Sequence, residues 1–121
     1  MGSISGWPHD LVDPQHPEFS HRVASWLLDR LPGEFRGSTI ARSPVALAWV
    51  STNSVKADLE AYRQMYAIAR SELRGIAVPV DDVLATLEAV GSGYIRLDRE
   101  AGLVFGALIR ASGEMGSSHL E

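Results

Sequence analysis

Two long stripes of apolar residues, separated by a short break, dominate the pattern of the chain. Each stripe advances by alternating steps of three and four residues, which places its members on one face of a helix and not of a strand. The first stripe comprises Val45, Ala48, Thr52, Val55, Leu59, Tyr62, Tyr66, Ala69 and Leu73. The second comprises Val80, Val83, Leu87, Val90, Tyr94, Leu97, Ala101, Val104 and Leu108. The pattern predicts two long helices that pack as an antiparallel hairpin with a coiled-coil-like seam.

Local signals set the ends of the helices. Ser43 followed by Pro44 is typical of a helix start, so the first long helix is predicted over 44–73. Gly75 and Pro79 mark the turn, and the second long helix is predicted over 79–110. A shorter helix is predicted over 17–31, with a proline in its first turn and Pro32-Gly33 beyond its end.

The short helix is expected to cover the open end of the hairpin, because the surplus apolar residues of both long helices concentrate there. These residues are Leu47, Trp49 and Val50 on the first, and Leu103, Phe105 and Ile109 on the second. We expect Trp26, Leu47 or Trp49, and Phe105 to meet in one core at that end. The expected register pairs Tyr62 with Tyr94 and brings Lys56 near Asp98.

The predicted fold is therefore all-α, a three-helix bundle built on a long antiparallel helical hairpin over 17–111. An irregular arm over 1–16 precedes it, and a flexible tail over 112–121 follows, ending in Leu120-Glu121, which resembles residues from a cloning site. The alternative is an α+β fold with a C-terminal β-hairpin at 94–109, suggested by Gly91, Gly93 and Gly102. The apolar stripe keeps its helical phase across these glycines, which favours the all-α fold. In that fold the glycines would permit the two long helices to approach closely.

Composition narrows the class of protein. The chain has 121 residues, of which 45% are hydrophobic and 21% charged, and this balance is typical of one globular domain. A net charge of −4 disfavours binding to nucleic acid, and the lack of cysteine excludes disulfides and thiolate chemistry. We expect a cytoplasmic protein without membrane contact, because no apolar run is long enough to cross a bilayer and no signal-peptide pattern is present.

Two sets of residues are candidates for a metal or ligand site. Histidines and acids cluster near the arm, at His9, Asp10, Asp13, His16, Glu18 and His21. They could hold a divalent metal, but their spacing matches no metal signature, and we interpret them as a polar, turn-forming arm. Tyr62, Tyr66 and Tyr94 could line a small-molecule site, but tyrosines at such positions usually belong to the core. We therefore predict no metal and no cofactor.

A basic edge is the one candidate partner-binding site. Lys56, Arg63 and Arg70 recur every seven residues, and Arg74 follows them. This edge could meet an acidic partner or a phosphate. The simpler interpretation is a solvated edge, in which Lys56 pairs with Asp98 and Arg63 with Glu60.

Nothing in the sequence indicates catalysis. The glycines match neither a phosphate-binding loop nor a dinucleotide fingerprint, and no serine or pair of carboxylates has a catalytic motif around it. We therefore predict a non-enzymatic helical module for protein–protein interaction or regulation. The narrow seam near the turn favours self-association as a homodimer. The alternative is a ligand- or metal-responsive module that binds a small molecule.

One stretch carries a resemblance. It combines Pro44-Val-Ala-Leu-Ala with Val55, Leu59, Arg63, Tyr66 and Arg70, and ends in Glu72-Leu73-Arg74. Residues 44–110 thereby resemble small uncharacterised helical-hairpin proteins of bacteria. The resemblance implies a fold but no activity, and it assigns no functional residue.

Overall fold

The computed structural model describes the backbone of residues 4–120 and the side chains of residues 4–112. Helix α1 spans Phe19–Leu28, α2 spans Pro44–Glu72 and α3 spans Val80–Leu120. Two 3₁₀ turns, Gly33–Gly37 and Thr39–Arg42, occupy the connection between α1 and α2. The chain is 74% helical and its described part contains no strand. The all-α prediction is confirmed, and the β-hairpin alternative for 94–109 is wrong.

The start of α2 and the turn after it follow the sequence signals. The Ser43 hydroxyl accepts a hydrogen bond from the Ala46 amide at 3.3 Å, and Pro44 occupies the first turn. Gly75 adopts a φ of +79°, a left-handed conformation that glycine enters without a steric penalty. Within the described residues, none of the helices is both long and apolar enough to cross a membrane.

The other two helices differ in length from their predictions. Helix α1 begins at Phe19 and not at residue 17, because the residues before it form turns closed by side chains. It ends at Leu28, where the amides of Arg30 and Leu31 bond to carbonyls three residues back. Helix α3 continues past Arg110 to Leu120, since no proline follows to stop it.

The core lies at the open end of the hairpin, as predicted. Val23 and Leu27 of α1 pack with Leu47 of α2 and Val104 of α3, and all four side chains are fully buried. The rest of the cluster comprises Leu11, Phe19, Trp26, Leu31, Ala48 and Leu108. Burial of so many apolar side chains at one end makes this cluster the main source of the fold's stability.

The N-terminal arm packs against this core. The Trp7 indole N–H donates to the carbonyls of Leu11 and Val12, at 3.1 and 3.2 Å. Its ring lies 6.1 Å from that of Phe19, and Leu11 is buried. The described part of the arm, from Ile4 onward, is therefore anchored through Trp7 and Leu11.

The expected core at the open end is confirmed, with Leu47 as its member from α2 and Trp49 outside it. Trp26 and Leu47 belong to the buried cluster and Phe105 packs against it, whereas Trp49 is 57% exposed. Positions two apart on a helix point about 200° apart. Because α1 docks on the Leu47 side of α2, Trp49 points away from it.

Two contacts confirm the predicted register of the hairpin. The rings of Tyr62 and Tyr94 lie 5.2 Å apart, and Lys56 Nζ lies 3.0 Å from Asp98 Oδ1. Toward the turn, beyond the reach of α1, Leu59, Ala69 and Leu84 remain buried in a seam of only two helices. That half of the hairpin has no third helix on either side.

Gly91 and Gly93 within α3 do not serve close packing. A Cβ atom added at Gly91 or Gly93 would meet no atom within 4 Å. The expectation that these glycines permit close helix approach is therefore wrong. They weaken α3 locally, because glycine costs about 1 kcal/mol relative to alanine inside a helix.

We predict opposite outcomes for alanine substitutions at two nearby apolar positions. Leu47→Ala should lower the free energy of unfolding by about 2–5 kcal/mol, because it leaves a cavity in the core. Trp49→Ala should change it by no more than about 0.5 kcal/mol in dilute solution, because the ring is exposed. Urea titrations followed by circular dichroism measure both. Equal losses of unfolding free energy would mean that α1 does not pack specifically on the Leu47 side of α2.

Two glycines provide a second matched test. Gly93→Ala should raise the free energy of unfolding by about 0.5–1 kcal/mol, since the new methyl group meets open space and improves helix propensity. Gly75→Ala should lower it by about 1–2 kcal/mol, because alanine is strained at a positive φ. The same urea titrations apply. Destabilisation by Gly93→Ala would show that the helices need the glycine for contact.

Candidate interaction face

Three of the histidines and acids near the arm, Asp13, His16 and Glu18, serve local structure. Asp13 Oδ1 accepts the Gln15 amide at 2.7 Å, and His16 Nδ1 accepts the Glu18 amide at 3.1 Å. Glu18 also forms an ion pair with Arg22. In the described part of the chain, no three histidine, cysteine, aspartate or glutamate side chains are grouped so that they could hold a metal ion. These bonds support the interpretation of the arm as a polar, turn-forming segment.

Asp10 instead ties the arm to α1. Its Oδ1 accepts the Trp26 indole N–H at 3.0 Å, and its Oδ2 lies 3.0 Å from Arg30 Nη2. The guanidinium of Arg30 stacks 3.7 Å above the Trp26 ring and donates to the Trp26 carbonyl. We call these three residues the Asp10 clamp. Burial alone would raise the pKa of Asp10, but the hydrogen bonds and the charge of Arg30 outweigh burial and lower it.

The predicted basic edge lies along the seam between the two long helices. Lys56 and Arg70 form ion pairs across the seam, with Asp98 at 3.0 Å and Asp81 at 3.2 Å. Arg63 is 3.9 Å from Glu60 on its own helix. Arg74 lies beyond the end of α2 and is exposed. The predicted pairings of Lys56 and Arg63 are confirmed, and the proposed role of the edge in partner binding stays a prediction.

The same edge carries Trp49 toward the open end of the hairpin. Trp49 precedes Lys56 by seven residues, so Trp49, Lys56, Arg63 and Arg70 follow one line along α2. On α3 the same spacing aligns Asp81, Glu88 and Ile95, and Ile109 continues this line two repeats later. Because Arg70 bonds to Asp81 across the seam, the two lines border the same side of the hairpin. We call this side, defined by these eight residues, the uncovered face.

A shallow apolar groove of about 410 Å³ runs along the uncovered face. Leu59 and Tyr66 form its wall on α2, and Ile95 forms its wall on α3. Arg63 and Glu88 place opposite charges on its two rims, and Gly91 keeps it open because it has no side chain. The groove can therefore accept an apolar side chain between a basic and an acidic edge.

Helix α1 leaves this face bare. The residues of α2 that α1 buries, Leu47 among them, lie on the opposite side from Trp49. Four large hydrophobic side chains are consequently exposed on or beside the groove side: Trp49 at 57%, Ile95 at 50%, and Tyr66 and Ile109 at 45%. An exposed apolar surface with polar rims is typical of a protein–protein contact.

No protein-family model matches the chain, and no similar curated protein or solved structure was found. The resemblance of residues 44–110 to bacterial helical-hairpin proteins therefore stays a prediction.

The sequence identified half of this face. It singled out the basic line on α2, but not the matching line on α3 or the exposure of Trp49. The seven-residue spacing of Asp81, Glu88 and Ile95 was a signal that could have revealed the second line. Of the three seam tyrosines, Tyr62 and Tyr94 are partly buried against each other as expected, whereas Tyr66 lies exposed at the groove.

The Asp10 clamp should make the free energy of unfolding depend on pH. Because the pKa of Asp10 is lowered on folding, its contribution is present above the pKa of the unfolded chain and disappears as pH falls through the folded pKa. The carboxylate is half exposed, so that contribution is at most about 1 kcal/mol. Asp10→Asn should therefore lower the free energy of unfolding at neutral pH and leave it unchanged in strong acid.

Asp29→Asn is the matched control for this substitution. Asp29 pairs with Arg36 at 2.6 Å, but the pair lies at the surface and joins α1 only to the connection that follows it. We expect a smaller change at neutral pH, measured by urea unfolding at both pH values. If Asp10→Asn and Asp29→Asn behaved alike, the clamp would contribute no more than an ordinary surface ion pair.

Proposed function

We propose that this protein is a non-enzymatic helical interaction module that self-associates through the uncovered face. One observation carries the proposal, the group of large hydrophobic side chains exposed on the side of the hairpin that α1 leaves bare. Burying such side chains against a partner stabilises an assembly by roughly 25 cal/mol for each Å² of apolar area removed from water. A cytoplasmic location stays part of the proposal.

A second copy of the chain is the partner that the charges favour. On this face α2 presents Lys56, Arg63 and Arg70, whereas α3 presents Asp81 and Glu88. The ion pairs within the hairpin leave Lys56, Arg70 and Asp81 largely exposed, so their charges can also face a partner. A face that carries one basic and one acidic line is complementary to itself. A wholly acidic or wholly basic partner would be repelled by one of the two lines.

The same charges select one of two symmetric arrangements. A two-fold axis parallel to the helices places α2 of one copy over α3 of the other, so that opposite charges meet. An axis across the helices would place α2 over α2, so that basic lines would face each other and repel. We therefore propose the parallel axis, which forms a bundle of four long helices and brings both open ends, with Trp49 and Ile109, to the same end.

The proposed dimer covers the seam near the turn, where no third helix of the described chain packs on the hairpin. There the two long helices pack only on each other, and Tyr66 and Ile95 are exposed. In the proposed assembly these side chains lie between two hairpins. Because both copies use the same surface, the contact closes on itself as a dimer and does not extend into a filament.

A glutamate placed on each side of the hairpin tests the choice of face. Ile95→Glu should weaken self-association by at least about thirtyfold, or about 2 kcal/mol, because it places a charge in the contact. Ile68→Glu is the control, since Ile68 is also exposed but points about 140° away from Arg63 around α2. Size-exclusion chromatography with light scattering measures the mass against concentration. A wild-type chain that stays monomeric, or a dimer lost only in Ile68→Glu, would contradict the proposal.

A charge exchange across the groove tests the arrangement. Arg63→Glu and Glu88→Arg should each weaken the dimer, because each places like charges opposite one another in the partner. The double variant should restore most of the affinity, and raised salt should reduce the differences. If the two single substitutions were additive in the double variant, α2 would not face α3 of the partner.

A further inference from the structure

A cavity lies on the other side of the hairpin, beside the end of α1. Its volume is about 480 Å³, which is within the range of small-molecule sites of roughly 300–1,000 Å³. Trp26 of α1 and Leu31, just beyond the end of α1, form one part of its wall. Helix α2 contributes Ser51 and Asp58, and α3 contributes Tyr94 and Leu97. The cavity exists because α1 ends at Leu28, so the hairpin beyond that point has no helix above it.

Arg30 and Asp58 carry opposite charges at the cavity wall, and of the two only Arg30 forms an ion pair among the described residues. Arg30 is part of the Asp10 clamp, where one terminal nitrogen meets the Asp10 carboxylate and the other meets the Trp26 carbonyl. Both terminal nitrogens therefore already have partners, and its charge is compensated. A carboxylate or phosphate would have to compete with Asp10 for this guanidinium.

Asp58 carries the uncompensated charge. It lines the cavity, and none of the ion pairs among the described residues includes it. Burial raises the pKa of Tyr94, and the negative charge of Asp58 raises it further. Asp58 and Tyr94 line the same wall, so the carboxylate gives that wall a negative field that a cation would relieve.

The rest of the wall suits an apolar body with one polar end. Val55, Leu97 and Ala101 form an apolar surface, and Trp26 and Tyr94 add aromatic rings. Ser51 and Ser54 add hydroxyl groups to the part of the wall that α2 forms with Asp58. Hydroxyl and carboxylate oxygens accept hydrogen bonds from the N–H groups of an ammonium ion, and the ring of Tyr94 can attract a nearby cation.

We propose that this cavity binds a small organic cation, a protonated amine on an apolar or aromatic body. The ammonium group pairs with Asp58, and the body packs against Val55 and Leu97. The site lies on the α1 side of the hairpin, away from the uncovered face, so this proposal goes beyond self-association and does not depend on it.

Three probes of similar size and different charge test the proposal by isothermal titration calorimetry. Phenethylamine is a cation at neutral pH, phenethyl alcohol is neutral, and hydrocinnamate is an anion. The amine should bind about tenfold more tightly than the alcohol, as expected for a hydrogen bond to a charged group, and the anion should not bind. Equal affinity for the three probes would overturn the proposal, as would a lack of phenethylamine binding.

Substitutions locate the site. Asp58→Asn should weaken phenethylamine binding about tenfold and leave the alcohol unaffected. Glu72→Gln is the matched control, because Glu72 is an exposed acid fourteen residues further along the same line of α2, beyond the reach of α1. Ser54→Phe should abolish binding of both probes by filling the mouth of the cavity. Equal effects of Asp58→Asn and Glu72→Gln would show that the amine responds only to net charge.

One further variant separates the two proposals. Ile95→Glu should retain full affinity for phenethylamine even where it is monomeric. Loss of amine binding in this variant would overturn the assignment to the α1 side, because the cavity would then need the dimer.

Discussion

The fold depends on the contact between α1 and one side of the open end of the hairpin. Val23 and Leu27 of α1 meet Leu47 of α2 and Val104 of α3, and none of the four side chains is exposed. With ten residues, α1 is about 15 Å long, whereas the 29 residues of α2 extend for about 44 Å. A single short helix thus covers one side of one half of the hairpin, and the other surfaces follow from that mismatch.

Beyond the reach of α1, the two long helices are stabilised only by each other. Leu59, Ala69 and Leu84 bury a narrow seam, and ion pairs border it at Lys56–Asp98 and Arg70–Asp81. Such exposed pairs contribute at most about 1 kcal/mol each, so they define the register more than they stabilise it. A second copy packed on this half would add the apolar burial that the ion pairs do not supply.

Sequence spacing predicted the elements better than the sides on which they pack. The heptad phase gave α2 and the helical state of 94–109, because these depend on local periodicity. The Tyr62–Tyr94 pair needed a second signal, the alignment of the apolar ends of the two long helices. The heptad phase did not distinguish Leu47 from Trp49, since both are apolar and the difference lies in where α1 docks. The 3₁₀ turns in the α1–α2 connection had no periodic signal. Of the cavity wall, the sequence singled out only Tyr94 as a possible ligand contact, because the rest of the wall combines three helices that are distant in sequence.

The position of α1 determines both candidate sites and also keeps them separate. Its docking side leaves the opposite side bare for a partner, and its early end leaves the cavity open beside Trp26. The shared element is α2, which carries Asp58 to the cavity and Arg63 to the groove. Coupling between two sites requires a ligand to bind two states of the connecting element with different affinity. Since α2 is a continuous helix fixed by the core at Leu47 and by the seam at Leu59, a bound amine has no second packing of α2 to select. We therefore expect ligand binding and self-association to be thermodynamically independent.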